Sequence, residues 1–201
     1  MKNNFPHIDF PKRLTVEITN TCNLGCVMCP RHNAENNTGF MKLDLYRKVI
    51  EEATHHLPVT LVPFFRGESL LHPDLFEMIK IANKSGLGPI QLATNATLLN
   101  RDNSTKLIES GLDFLSLSLD IDQKNYKTTH LGGDYEKVIK NIDNFITIKR
   151  EMNVTKPDIQ VSTVETSDNR QGLHNFSKYW LERVDRVRVY PAHSINGAFG
   201  S

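Results

Sequence analysis

The chain has 201 residues, 39% of them hydrophobic and 23% charged, with a formal net charge of +1. That is enough for one domain with a sizeable core, and no run of Lys and Arg stands out to attract a nucleic-acid backbone or an anionic membrane. The first thirteen residues lack the apolar stretch of a secretory signal, and no segment approaches the ~18 apolar residues of a spanning helix. All three cysteines, Cys22, Cys26 and Cys29, fall within eight residues. An odd, clustered set argues against a disulfide framework; thiols kept reduced place the chain in the cytoplasm.

Taken in order, the segments alternate between strand and helix. In Arg13 to Thr19, Leu14, Val16 and Ile18 alternate with polar residues, which predicts a first strand. The cysteine loop follows. Leu43, Tyr46, Ile50 and Ala53 share one face of a helix over Leu43 to Thr54. Val59 to Phe65 has strand length. Pro73 can open a helix whose stripe is Leu75, Met78, Ile79 and Ala82, and Gly86 can stop it. Pro89 to Thr94 predicts a third strand and a short helix precedes Gly111. Asp113 to Leu119 predicts a fourth strand. Tyr135 to Glu151 carries Val138, Ile142, Phe145 and Ile146 inward, with Asp134 as a cap. Asp158 to Val164, a helix with Leu173, Phe176 and Trp180, and a strand from Asp185 to Tyr190 complete the series.

Six strands separated by helices imply an α/β fold with a parallel sheet and right-handed crossovers. It is either a doubly wound sheet or a partial (β/α)6 barrel, and both place ligands at the C-terminal strand ends. No linker divides the chain: residues 1–12 read as an extension and 13–201 as one domain. The sixth strand leads into a turn-rich tail rather than a helix. The chain is therefore either short by nature or part of a longer one, truncated after the sixth strand.

Chemistry-bearing residues gather at those strand ends. Cys-x3-Cys-x2-Cys follows the first strand, and three thiolates can hold a metal centre with one position open. Arg66-Gly67-Glu68-Ser69 follows the second strand and Thr94-Asn95 the third. Ser116, Ser118 and Asp120 close the fourth; Ser162, Thr163 and Glu165 close the fifth. Gly67 or Asn95 alone would be an ordinary turn residue; five strand ends together surround one mouth. His55, His56, His130, His174 and His193 show no ligand spacing and read as surface or satisfied histidines. Phe64 and Phe65 read as core, and Gly132-Gly133 as a loop before a helix.

With Cys-x3-Cys-x2-Cys after the first strand and a Gly-Glu pair after the second, the chain resembles the radical S-adenosylmethionine (radical SAM) superfamily from about Arg13 to Tyr190. Thr19 to Arg31 and Gly67-Glu68-Ser69-Leu70-Leu71-His72-Pro73 look most like its SPASM-type branch, whose members modify ribosomal peptides, sugars or protein side chains. The resemblance implies a partial (β/α)6 barrel and a [4Fe–4S] cluster on Cys22, Cys26 and Cys29; thiolate is the usual cluster ligand. The fourth iron would take the amino and carboxylate groups of S-adenosylmethionine, whose reductive cleavage gives a 5′-deoxyadenosyl radical that abstracts hydrogen from substrate.

By the same resemblance Gly67 and Glu68 would meet the methionyl amino group, although Arg66 and Ser69 depart from the family's Gly-Gly-Glu-Pro. Ser118 and Asp120, two apart and on one strand face, would meet the ribose. Asn95 would reach ribose or carboxylate, Ser162 and Glu165 the carboxylate or adenine edge. Met28 stands where an aromatic often packs on adenine, and Arg31 flanks the cluster. A flavodoxin- or ferredoxin-like reductant is implied by the chemistry. Relatives in the SPASM branch carry further cysteines for auxiliary clusters, and this sequence has none. The competing reading is a non-catalytic zinc module on Cys22, Cys26, Cys29 and His32, a Cys3His set.

Overall fold

The computed structural model describes residues 10–33 and 37–192, with His32 and Asn33 described in backbone only. Six parallel strands alternate with helices: β1 (Arg13–Thr15), α1 (Leu43–Thr54), β2 (Thr60–Val62), α2 (Leu75–Lys84), β3 (Gln91–Thr94), α3 (Arg101–Glu109) and β4 (Phe114–Ser118). Then come α4 (Gln123–Thr129), α5 (Tyr135–Glu151), β5 (Asp158–Glu165), α6 (Leu173–Leu181) and β6 (Arg186–Pro191). β1 pairs with β2, and β3 to β6 pair in chain order. A single parallel bridge between Leu61 and Ile90 joins the two groups. The sheet therefore runs 1-2-3-4-5-6 and stays split between β6 and β1, a partial (β/α)6 barrel.

The predicted strands are found, most of them trimmed at their ends. β1 stops at Thr15, although Val16 N–H still donates to Val62 O at 2.9 Å. Ile18 and Thr19 bend away, and Thr19 forms an isolated antiparallel bridge with Phe40. The helix periodicity was a stronger guide, because an amphipathic stripe is defined over several turns. α1 and α5 have the predicted limits, and the Asp134 side chain accepts from Lys137 N–H at 3.2 Å. Gly86 and Gly111 sit at φ +80° and +86°, left-handed conformations that end helices cheaply only with glycine. One helix was not foreseen. α4 is capped by Asp122, whose carboxylate accepts from Asn125 N–H at 2.8 Å.

The strand period of two sorts the β4 side chains onto two faces. Leu115, Leu117 and Leu119 are buried under the helices, while Ser116, Ser118 and Asp120 line the concave face. The outer core is apolar, built from residues such as Ile50, Leu75, Met78, Leu107, Ile142, Phe145 and Trp180. The interior of the split barrel is mixed, with Ser116, Ser118, Asp120, Gln160 and Ser162 beside apolar side chains such as Phe64 and Phe114, and that is where polar groups can meet a ligand.

Candidate active site

The cysteine loop is held from two sides. On one side, Gly25 N–H donates to Leu131 O and Val27 N–H to Thr129 O, both at 2.9 Å, so the end of α4 and the loop after it clamp the loop. Gly132, read as part of a simple loop, is in that clamp at φ +88°. On the other side, Asn23 is tied to the end of β3: its Nδ2 donates to Thr97 Oγ1 at 2.8 Å and its Oδ1 accepts from Asn95 Nδ2 at 3.0 Å. Within the loop, Arg31 donates to Leu24 O at 3.0 Å, the carbonyl of a buried leucine. Arg31 thus braces the loop from inside.

The three thiols are free, half-buried, and line a cavity of about 300 Å³ at the C-terminal strand ends. Burial pushes the Cys26 thiol up to about 12, with smaller contributions from the neighbouring Cys22 and Cys29. Cys22 is also raised, again chiefly by burial, while the Leu24 N–H and Arg31 oppose the rise. Such thiols stay protonated at neutral pH until a metal replaces the proton.

Most residues expected at the cofactor site line this cavity: Met28, Gly67, Glu68, Asn95, Ser118, Asp120 and Ser162 join the cysteines. Gly67 is there for lack of a side chain. A Cβ on it would stand 2.3 Å from Thr19 O and 2.8 Å from Thr21 O, both backbone atoms. The adjacent Glu68 N–H donates to Thr21 O at 2.8 Å. The Gly-Glu pair therefore presses the loop after β2 against the chain entering the cysteine loop.

Glu68 and Asn95 have work beyond the roles expected of them. Glu68 is 2% exposed. Its Oε1 accepts from Leu70 N–H at 3.0 Å and the Thr94 hydroxyl at 2.8 Å, and its Oε2 from Asn95 N–H at 2.8 Å. Burial raises its pKa, and those three donors partly offset the rise. One Oε2 lone pair is left for a cation. Asn95 Oδ1 accepts from the Thr97 N–H and hydroxyl, at 3.0 and 2.6 Å, and its Nδ2 points to Asn23 and, at 3.9 Å, to Cys22 Sγ. Its side chain is spent on positioning the cysteine loop. The turn that carries it holds buried Ala96 at φ +58°, with Ala96 O capped by Asn141 Nδ2 at 2.8 Å.

His130 is a satisfied histidine rather than a surface one. It is buried, lines the cavity, and lies 3.2 Å by Nδ1 from Asp120 Oδ2. The Thr129 hydroxyl donates to the same oxygen, which leaves Asp120 Oδ1 for a ligand. The His130 ring stacks on Tyr126 at 4.5 Å, almost parallel. Asp122 as a helix cap was the missed signal: it turns the chain so that residue 130 returns beneath residue 120. Two expectations shift, those for Glu165 and Phe65. Glu165 is paired with Arg170 at 2.7 Å and does not line the cavity. Phe65 is exposed beneath the Arg66 guanidinium, 5.0 Å away, rather than in the core. Phe64 packs on the core and still lines the cavity. His193 lies outside the described residues.

Among the described residues no three Cys, His, Asp or Glu side chains converge on one metal ion. The zinc reading finds no support, and the His32 side chain it needs lies outside the described residues. A cluster places one thiolate on each of three irons, so its ligands need only ring the mouth of a cavity. Three unpaired thiols beside a glycine cradle fit that requirement.

This arrangement belongs to the radical SAM superfamily: the family model matches residues 16–155, so the chain is a member. Members of the superfamily bind a [4Fe–4S] cluster and S-adenosylmethionine. Among relatives, it is 30% identical over 181 residues to a tungsten-containing aldehyde ferredoxin oxidoreductase cofactor-modifying protein of Pyrococcus furiosus, covering 89% of this chain and 51% of that protein. It is 31% identical over 133 residues to a GTP 3',8-cyclase of Chlorobaculum tepidum, covering 65% of this chain and 40% of that protein. The chain thus spans about half the length of the curated relatives it matches. In fold it resembles Streptococcus suis SuiB bound to its precursor peptide SuiA, with a TM-score of 0.76, 19% identity and coverage of 94% and 41% of the two chains. It also resembles anSMEcpe with bound AdoMet, with a TM-score of 0.74, 20% identity and coverage of 91% and 52%. No helix among the described residues is long and apolar enough to cross a membrane.

Proposed function

We propose that this chain is the core of a radical SAM enzyme, with residues 13–201 as its core domain and 1–12 as an extension. The supporting observation is that three free thiols, the Gly67 cradle and the polar row of β3, β4 and β5 share one cavity. Cys22, Cys26 and Cys29 hold the [4Fe–4S] cluster. When bound, the cluster and S-adenosylmethionine supply a 5′-deoxyadenosyl radical that takes a hydrogen atom from substrate; the protein's share is to orient and shield them.

The chain's own residues divide that share. The open Oε2 position of Glu68 and the carbonyls beside Gly67 suit an ammonium. Asp120, fixed by Thr129 and His130 through Oδ2, keeps its other oxygen for ribose hydroxyls at the cavity wall, with Ser118 one strand repeat deeper. Met28 offers an adaptable apolar face to an adenine, and Ser162 a hydroxyl below it. Asn23, Asn95 and Thr97 hold the cysteine loop in register with β3.

The substrate is a peptide, a sugar or another small molecule. A small molecule is favoured, because the relatives named for GTP cyclisation and cofactor modification match at higher identity than the peptide-bound neighbour. A flavodoxin- or ferredoxin-like protein supplies the electron, and the cytoplasm suits a cluster on reduced thiols.

Anaerobic reconstitution with iron and sulfide followed by dithionite and S-adenosylmethionine tests the reading. A brown protein with about four irons per chain that forms 5′-deoxyadenosine is expected. Zinc without visible absorbance, or a cluster-replete protein forming no 5′-deoxyadenosine, would overturn it.

A further inference from the structure

Below the thiols, the concave face of the sheet lines a second cavity of about 570 Å³. Its walls include Arg13, Gln91, Phe114, Ser116, Gln160 and Arg188, and it shares Ser118, Ser162 and Tyr190 with the cavity above. The two form one trough. The sequence of β6 explains its charge. Arg-Val-Arg-Val-Tyr-Pro places Arg186, Arg188 and Tyr190 on one face and the valines on the other. Strand pairing then sets Arg188 level with Ser162 and Ser118.

An arginine on an edge strand is ordinarily a solvated charge that discourages edge pairing. Arg13 and Arg188 differ from that pattern. They come from β1 and β6, the edges facing each other across the split, and both line the interior cavity. Among the described residues no Asp or Glu lines it with them. Other arginines of this half have acids: Arg186 lies 3.7 Å from Asp158, Arg170 2.7 Å from Glu165, and Arg183 2.6 Å from Asp143. Among the described residues Arg13 bonds to the neutral Gln91 Oε1 at 2.8 Å, and Arg188 lies 5.2 Å over the Tyr190 ring. Two unneutralised cations in a concave cleft focus a positive potential.

The carboxamides complete the lining. Gln91 spends its oxygen on Arg13, which leaves its NH2 as a donor. Gln160, 8% exposed, donates to Ser116 Oγ at 3.1 Å, and Ser116 and Ser162 share a hydrogen bond at 3.2 Å. From Phe114 to Ser118 the trough climbs four strand positions, about 13 Å.

We propose that this trough binds the phosphate or carboxylate end of a small-molecule substrate. Arg13 and Arg188 hold the anion, the Gln91 amide adds a donor, and the remainder of the molecule extends toward the cavity of the cysteines. The direction of that extension rests on the radical SAM reading above; the anion site does not.

The test is calorimetric titration of the metal-free chain with inorganic pyrophosphate and, separately, with succinate. Arg13→Gln and Arg188→Gln change exposed side chains without acidic partners among the described residues, so the fold is kept; Arg170→Gln, outside the trough and paired with Glu165, is the control. Binding of one probe at one site per chain is expected, weakened tenfold or more by each cavity variant and within twofold of wild type in the control. The probe that binds distinguishes a phosphate from a carboxylate. Absence of binding by both probes, or binding that survives both cavity substitutions, overturns the proposal. Anion binding without 5′-deoxyadenosine formation would instead sink the functional reading alone.

Discussion

Replacing Gly67 with alanine should separate the loops that build the site. The new methyl would lie 2.3 Å from Thr19 O, and 2.8 Å from both Thr19 C and Thr21 O. All three atoms are backbone, so no rotamer change relieves the overlap. Reaching an ordinary contact requires the two segments to part by about 1 Å. Overpacking of this kind costs about 1–3 kcal/mol. Losing the bond from Glu68 N–H to Thr21 O adds about 1 kcal/mol, for a total of about 2–4 kcal/mol. At about 2–4 °C per kcal/mol for a chain of this size, the melting temperature should fall by at least about 4 °C. Because Thr21 precedes Cys22, reconstituted iron per chain should fall as well. Gly39→Ala is the control, since among the described residues nothing lies within 4 Å of its added methyl. Circular dichroism melts and an iron assay read both effects. A Gly67→Ala protein with wild-type melting and full iron would refute the close-approach argument.

Cys26→Ser should lose most of its iron while keeping its fold, because a serine hydroxyl does not replace a thiolate on iron; a full cluster in that variant would remove Cys26 from the ligand set. The raised Cys22 and Cys26 thiols must release protons to bind iron, so cluster assembly should be faster at pH 8.5 than at pH 7, which the growth of visible absorbance under anaerobic conditions measures. Glu68 has a folded pKa raised above the ordinary carboxylate value of about 4.3. The native state then holds more protons than the unfolded chain just above that value, so stability falls as pH rises through the window. Glu68→Gln removes the effect; urea unfolding at a series of pH values should show wild type losing stability relative to the variant as pH increases, and a flat difference would contradict the assignment. Leu117, fully buried on the helix side of β4, should cost about 2–5 kcal/mol on truncation to alanine, read by urea denaturation.

The sequence by itself determined the order of the strands, the parallel sheet and the gathering of cysteines, Gly67, Glu68, Asn95, Ser118, Asp120 and Ser162 at the strand ends. These were legible because periods of 2 and 3.6 and the punctuation of glycine and proline are local properties, and because a βαβ series places successive loops on one face. What each polar group does there was decided by tertiary structure. Hydrogen-bond capacity is finite, and only packing shows that Asn95 is spent on Asn23 and Thr97, that most of Glu68 is spent on β3, and that Asp120 is held by Thr129 and His130. His130 was hidden because its return to the site depends on the turn of α4, a seven-residue helix with one buried residue and no long apolar stripe. The pairing of Arg13 with Arg188 was hidden for a different reason: they stand at opposite ends of the sequence and share a cavity only because the sheet curls until its first and last strands face each other.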